Sequence, residues 1–241
     1  LPITHERGYV IPAFGNEYVQ CAERLRDSIL VWHPDAHITI LTEDQLPYGN
    51  LGGFANDWQC HWLSPYRQTI KLEADMFCAS PIDHAWTLFE HKDVVVSQGA
   101  RNFYDQTATS RHYRKIFDSN ALPDVYNAIT YWRVSKTATE FFRLVRLVFE
   151  HWDQYRTLLK FPDDNPTTDV VYAVVAQIMG VENVTLPAGI GPQIVHMKQH
   201  IMPTRTANWT KELTWEHTDP GLRINTVAQW GLVHYYIKDW Q

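Results

Sequence analysis

Two acidic residues follow an apolar run in Ile70-Lys71-Leu72-Glu73-Ala74-Asp75-Met76. Carboxylates at i and i+2 share one side of an extended chain, and a bend at a strand end lets both close on one ion. Oxygen-rich, open coordination of that kind suits Mg²⁺ or Mn²⁺ bridging two phosphates. A diphosphate leaving group develops negative charge, and a divalent ion stabilises it. Near the other end, Gly231-Leu232-Val233-His234-Tyr235-Tyr236-Ile237-Lys238-Asp239-Trp240 offers one imidazole and then a lysine four residues later. A neutral imidazole can complete a metal site begun by Asp75, and Lys238 can neutralise a phosphate. Each signal has a plainer reading: acids after a strand are often surface residues, and a His among aromatics is often a packing residue.

Such a site needs elements to hold it. Gly8 to Phe14 is a buried-strand run, with Pro12 marking an irregularity or an edge. Gly15 and Asn16 turn the chain into Glu17 to Trp32, where Val19, Ala22, Leu25, Ile29 and Trp32 follow helical spacing. His33-Pro34-Asp35 stops that helix. Ile38 to Thr42, Thr69 to Leu72 and Val94 to Ser97 read as further strands, and a helix-like stretch reaches Ser64-Pro65. This alternation describes an α/β fold with a doubly wound, mostly parallel sheet, which places ligands beyond the carboxyl ends of its strands. Thr137 to Leu159 carries the strongest helical periodicity, as one packing helix, and a second helix begins near Thr168, capped by Thr167 or Thr168. From Pro187 onward the pattern is irregular, with short strands at best.

Composition narrows the classes. The 241 residues suit one domain, and 45% hydrophobic with 20% charged residues is globular composition. No apolar run approaches the length of a membrane span; the longest, such as Val170 to Ala176, are core segments. Leu1-Pro2-Ile3-Thr4 opens no charged-then-apolar leader, so no signal peptide is expected. Cys21, Cys60 and Cys78 have no paired spacing and read as buried thiols in a reducing compartment. The net charge of −6 is uneven: residues 1–98 hold 6 basic and 13 acidic side chains, and the remainder 15 and 14. Arg101, Arg111, Arg114 and Lys115 face only Asp105 before Asp118, so a local polyanion contact is compatible with the negative total.

Taken together, the strand–helix order, the acidic pair after the third strand and the late His-x-x-x-Lys-x-Trp resemble GT-A-type glycosyltransferases of the glycogenin-like sort. The resemblance implies one catalytic domain over 1–241, with a nucleotide-sugar half to about residue 98 and an acceptor half beyond it. It implies Mn²⁺ or Mg²⁺ on Asp75 and His234 against the diphosphate of a UDP-sugar, with Lys238 on phosphate. Glu73 stands where the family has the first Asp of D-x-D. Asn127, in Asp124-Val125-Tyr126-Asn127-Ala128-Ile129, is similar to the Asn that approaches the donor sugar. Asp169, in Thr168-Asp169-Val170, is similar to the acid near the reacting carbon. Pro12, Ala13, Phe14 and Asn16 fall where such enzymes hold uracil and ribose, and Arg67 resembles a residue that reaches the nucleotide.

A closer resemblance covers about residues 60–180. Ser64-Pro65-Tyr66-Arg67-Gln68-Thr69-Ile70, Tyr113-Arg114-Lys115-Ile116-Phe117-Asp118 and Asn120-Ala121-Leu122-Pro123 look like tailed-phage proteins of the glycosyltransferase type. That resemblance implies transfer of glucose or arabinose to 5-hydroxymethylcytosine in double-stranded DNA, in the cytoplasm of an infected bacterium. Arg111, Arg114, Lys115, His196 and Lys198 would then meet the acceptor, and the Trp-rich tail a base. Two other readings remain at this level. One is a glycosyltransferase acting on a saccharide or protein. The other is a non-catalytic carbohydrate- or nucleic-acid-binding module built on the chain's ten Trp. Nucleotidyl transfer is disfavoured because no Gly-rich basic loop surrounds Asn16.

Overall fold

A computed structural model describes residues 2–108, 114–187, 190, 194–198, 201–202 and 204–238. The first apolar run forms strand β1 (His5–Pro12), and helix α1 follows at Asn16–Trp32. Gly15 joins them with φ of 104°, a backbone setting that costs glycine little. Strand β2 is Ile38–Leu41. A 3-10 segment, Gly53–Gln59, runs into the short helix α2 (Cys60–Leu63) and then strand β3 (Tyr66–Leu72). The middle of the chain adds β4 (Met76–Cys78), α3 (His84–Phe89), β5 (Val94–Gln98), β6 (Ala100–Arg101), β7 (Thr107–Ala108), α4 (Arg114–Ser119) and β8 (Val125–Arg133). Helices α5 (Lys136–Glu150), α6 (Trp152–Leu159), α7 (Thr168–Met179) and α8 (Val181–Val184) lead to β9 (Ile194–His196), β10 (Trp215–Thr218), β11 (Gly221–Ile224), β12 (Val227–Ala228) and β13 (Leu232–His234).

The central sheet has the order β2-β1-β3-β8-β5. Strands β1, β2 and β3 pair in parallel, while β8 runs antiparallel to both β3 and β5. Four of the five strands therefore share one direction, and the α/β, mostly parallel expectation holds. Strand β1 lies inside the sheet, not at its edge. Pro12 is tolerated because it is the last residue of the strand. Side chains alternate across the sheet: Tyr9 and Ile11 pack with the buried face of α1, and Val10 packs with α5 and α7. Both faces are thus covered, which explains why the first eight residues of β8 and the first four of β5 are buried in succession.

One reading of the sequence is corrected. The stretch Thr137 to Leu159 is not one helix: it breaks at His151 (φ −114°, ψ 27°) between α5 and α6. The Trp152 indole, at the start of α6, donates to the Asp163 carbonyl beyond the end of that helix. The apolar spacing continues through the break, so periodicity alone could not reveal it. The segment after Pro187 holds short strands of two to four residues, as its spacing suggests. Strands β9 and β13 join β4, β6 and β7 in a second five-stranded sheet, and β10 to β12 form a third. The helix expected near Thr168 starts there, with the Thr167 hydroxyl accepting from Val170 N–H. All three cysteines are buried and free, and no helix among the described residues is long and apolar enough to cross a membrane.

One buried ion pair ties the 3-10 segment to the sheet. Lys71 is fully buried on β3, and its Nζ lies 2.5 Å from Asp57 Oδ1, while the Tyr172 hydroxyl of α7 donates to Asp57 Oδ2 at 2.5 Å. Removing one partner leaves an uncompensated charge in the interior, so Lys71→Met should lower stability by about 3 kcal/mol in urea denaturation. The double variant Lys71→Met/Asp57→Leu should recover part of that loss. A second test concerns His61, whose ring stacks on Phe142 (4.6 Å between centroids) and whose Nδ1 has no hydrogen-bond partner among the described residues. Burial lowers its pKa from 6.5 to about 4. The unfolded chain therefore binds a proton below about pH 6.5 that the folded chain refuses. This stability is full above pH 6.5 and is lost as pH falls toward 4, amounting to about 2–3 kcal/mol. His61→Phe should flatten that acid limb in denaturation curves taken between pH 7 and pH 4.5; identical limbs would refute the assignment.

Candidate active site

Strand β3 ends at Leu72, and the chain turns through Glu73-Ala74-Asp75 into β4. Glu73 N–H donates to the Ala128 carbonyl of β8, which anchors the turn. Strand β13 pairs antiparallel with β4 and parallel with β9, so His234 stands opposite both Met76 and His196. A further bond from Tyr235 N–H to the Asp75 carbonyl locks the late segment against the acidic turn. The bend supposed from the sequence is real: one donor atom from each of Glu73, Asp75 and His234 lies within 4.8 Å of the others.

The contacts inside this group are close. His234 Nε2 is 3.0 Å from Asp75 Oδ1, His234 Nδ1 is 3.4 Å from Glu73 Oε2, and Lys238 Nζ is 2.8 Å from Asp75 Oδ2. Burial alone would push the Asp75 carboxyl up, but His234 and Lys238 outweigh it and hold Asp75 well below the usual carboxylate range. Glu73 moves the other way: burial raises it, and Asp75 and Asp169 add to that rise against the pull of His234. His234 is lowered by burial but raised on balance by Asp75 and Glu73. For Lys238, burial is likewise outweighed by Asp75, and the ammonium is held more firmly than usual.

Two carboxylates and an imidazole converging from separate strands are the donor set of a hard or borderline divalent ion. Glu73 Oε2 is buried and accepts no hydrogen bond among the described residues, as a ligand oxygen facing an ion would be. The residues present therefore fit a divalent cation. They open into a cavity of about 370 Å³, within the range of small-molecule sites.

The cavity gathers Asp75, His234, Lys238, Glu73, Asp169 and Lys198. Pro12 and Phe14 line it too, while Ala13 is buried beneath them and Asn16 is the first residue of α1. Asp169 is aimed by its first-turn position in α7 and by Asn127 N–H, which donates to its Oδ1 at 2.7 Å. The other expectations need correction. The Asn127 side chain is fully buried and does not line the cavity; its Oδ1 accepts from the Thr130 hydroxyl. Arg67 is exposed near the amino end of β3, paired with Glu6 at 3.2 Å, away from the strand's carboxyl end. His196 is fully buried against Tyr126 and His234, so it presents nothing to a surface polyanion. Arg101 is buried as well, bound to Asp105 at 3.0 Å and lying over the Trp230 ring. Arg111 lies outside the described residues, and of Arg114 the backbone alone is described, in α4. Lys115 is exposed.

Sequence reasoning missed Tyr18, Asp57, Tyr126 and Tyr236, all of which line the cavity. Tyr18 is the third residue of α1, with Lys238 Nζ 4.0 Å from its ring centre. Tyr126 lies beside Asn127 and was available as a neighbour of a residue already singled out. Asp57 had no local signal, because its role depends on Lys71 reaching it from another strand.

No family model and no curated protein sequence matches the chain. Comparison of structures does find likenesses. The galactosyltransferase LgtC, solved in complex with donor and acceptor sugar analogues, aligns over 95% of this chain and 86% of its own, at 11% identity and a TM-score of 0.53. The glycosyltransferase GlyE of Streptococcus pneumoniae TIGR4 aligns over 76% of this chain at 8% identity and a TM-score of 0.48, and this chain spans 46% of its length. Mouse xyloside xylosyltransferase 1 aligns over 76% of this chain and 84% of its own, at 8% identity and a TM-score of 0.45. The likeness to LgtC shows that the chain has the GT-A fold.

Proposed function

We propose that this protein is a divalent-cation-dependent glycosyltransferase that moves a sugar from a UDP-sugar to a hydroxyl acceptor. The observation that carries the reading is the convergence of Glu73, Asp75 and His234 in one cavity with Lys238 beside them. Fold likeness alone would not decide the chemistry. Glu73, Asp75 and His234 would hold Mn²⁺ or Mg²⁺, which when bound neutralises the charge developing on a diphosphate leaving group. Lys238 and Lys198 supply further positive charge in the same cavity, and Pro12 and Phe14 give the base an apolar wall. Asp169, held by Asn127 N–H, is the acid available to a positive sugar centre or an incoming hydroxyl.

The acceptor is assigned first to 5-hydroxymethylcytosine in DNA, carrying glucose or arabinose, on the strength of the phage-protein resemblance. A saccharide hydroxyl is the second reading. It is favoured by the inward placement of His196 and Arg101, which leaves a weaker basic surface than the sequence suggested. Both readings share the donor chemistry. A setting in the cytoplasm of a phage-infected bacterium goes with the DNA reading.

Two measurements test the proposal. UDP with Mn²⁺ should raise the thermal midpoint, with a stabilisation of about 2.7 kcal/mol when ligand stands a hundredfold above its Kd. UDP without metal should do much less. No shift with any nucleotide would instead support a non-catalytic binding module. In activity assays, a panel of UDP-sugars is offered with hydroxymethylated DNA, plain DNA and oligosaccharides, and products are read by mass. Asp75→Asn should reduce turnover by about 100-fold or more while circular dichroism stays unchanged. Full activity of that variant at saturating donor would refute the cation assignment, and product on saccharide alone would move the acceptor to the second reading.

A further inference from the structure

His234 does not stand alone behind its carboxylates. Its Nδ1 is hydrogen-bonded to the hydroxyl of Tyr126, and the same hydroxyl is hydrogen-bonded to Nδ1 of His196. All three groups are buried: Tyr126 is 2% exposed, His234 5% and His196 fully enclosed. The rings pack as a unit, with Tyr126 and His234 nearly parallel at 23° and the two imidazole centres 5.1 Å apart. Their spacing follows from the backbone. Strands β9 and β13 pair in register at His196 and His234, and β8 delivers Tyr126 one residue before Asn127.

Counting protons constrains this unit. A phenol carries one proton, so with an imidazole nitrogen at each of its two bonds it donates to one and accepts from the other. The two histidines must therefore be in opposite states at Nδ1. A histidine that serves a cation through Nε2 has to present that nitrogen as a lone pair, which leaves its proton on Nδ1. The arrangement is then directional: His234 Nδ1–H donates to Tyr126 Oη, and Tyr126 donates to His196 Nδ1. Glu73 Oε2, 3.4 Å from His234 Nδ1, favours the same placement of the proton. Of the other charged groups near His234, Asp75 meets Nε2 at 3.0 Å, and Lys198 acts on the ring by its charge.

We propose that Tyr126 is a positioning residue for the cation site, fixing the ring orientation and tautomer of His234, with His196 as the acceptor that fixes Tyr126. This rests on the cation reading of Glu73, Asp75 and His234. It gives His196, which the surface does not use, a function consistent with complete burial. It also separates the roles of the two histidines: one faces the cavity with Nε2, and the other sets it from behind.

The test is a calorimetric titration of Mn²⁺ in the presence of UDP, on the wild type, Tyr126→Phe, His196→Leu and His196→Asn. Tyr126→Phe keeps the ring and removes the hydroxyl. It should weaken Mn²⁺ binding by about 10- to 100-fold, the range found when an outer partner of a metal-bound histidine is lost. His196→Leu should fall with it, and His196→Asn, which keeps an acceptor at the position of Nδ1, should bind Mn²⁺ like the wild type. A second readout is ¹⁵N-histidine NMR with Mg²⁺ and UDP: His234 should be protonated at Nδ1 in the wild type and lose that preference in Tyr126→Phe. If the wild type binds no Mn²⁺, the cation reading itself falls and this role with it. If the wild type binds but Tyr126→Phe binds equally well with an unchanged His234 tautomer, the positioning role is overturned while the cation site stands. A lower melting midpoint in the variants with unchanged Mn²⁺ affinity identifies a purely structural contact and also overturns it.

Discussion

The pairing of β13 with β4 is the constraint on which the site depends. Lys238 and Asp75 are separated by 163 residues of chain, yet their side chains meet at 2.8 Å. What brings them together is ordinary backbone: three register pairs between β13 and β4, and three more between β13 and β9. Each is a modest interaction, but a ladder excludes slippage, because a shift of one residue would turn His234 to the opposite face. The apolar partners Leu232 and Val233 are fully or almost fully buried in the same core that holds Met76 and Cys78. Packing therefore sets the register, and the register sets the chemistry.

Within that frame the acidic turn carries opposed tendencies. Asp75 is held as a carboxylate by His234 and Lys238, whereas desolvation and the neighbouring Asp75 and Asp169 make the charge of the partly buried Glu73 costly. The buried Lys71 on β3 is matched by Asp57 rather than by Glu73. The neighbouring carboxylate is thus left without a dedicated lysine. Such unequal treatment of two carboxylates two residues apart arises from their surroundings, since their chemistry is the same.

Parts of this were legible in the sequence because they are local. The strands β1, β2, β3 and β5, the helix α1 and the capped start of α7 each announce themselves by periodicity or by a turn residue. The acidic pair and the late His and Lys could be proposed as partners from their types alone. Other parts are not local. The burial of His196 and Arg101 depends on which strands flank them, whereas the charge pattern had turned Arg101, and the phage-protein resemblance His196, toward a polyanion. Asp57 acquires its meaning from Lys71 and Tyr172, which no spacing rule connects to it. The break at His151 leaves the apolar periodicity intact and so leaves no trace in it.

The long sequence separation across the cradle also bears on how the molecule reaches its native state. Closing so large a loop carries an entropic cost that only the completed β4–β13–β9 ladder offsets, whereas the β1–α1–β2 unit closes over short distances. The donor atoms of Glu73, Asp75 and His234 therefore come within 4.8 Å of one another only in chains whose β4 and β13 are already joined. Occupancy of this cradle would count complete molecules, and chains arrested with a formed first half but an undocked β13 would be silent in the same measurement.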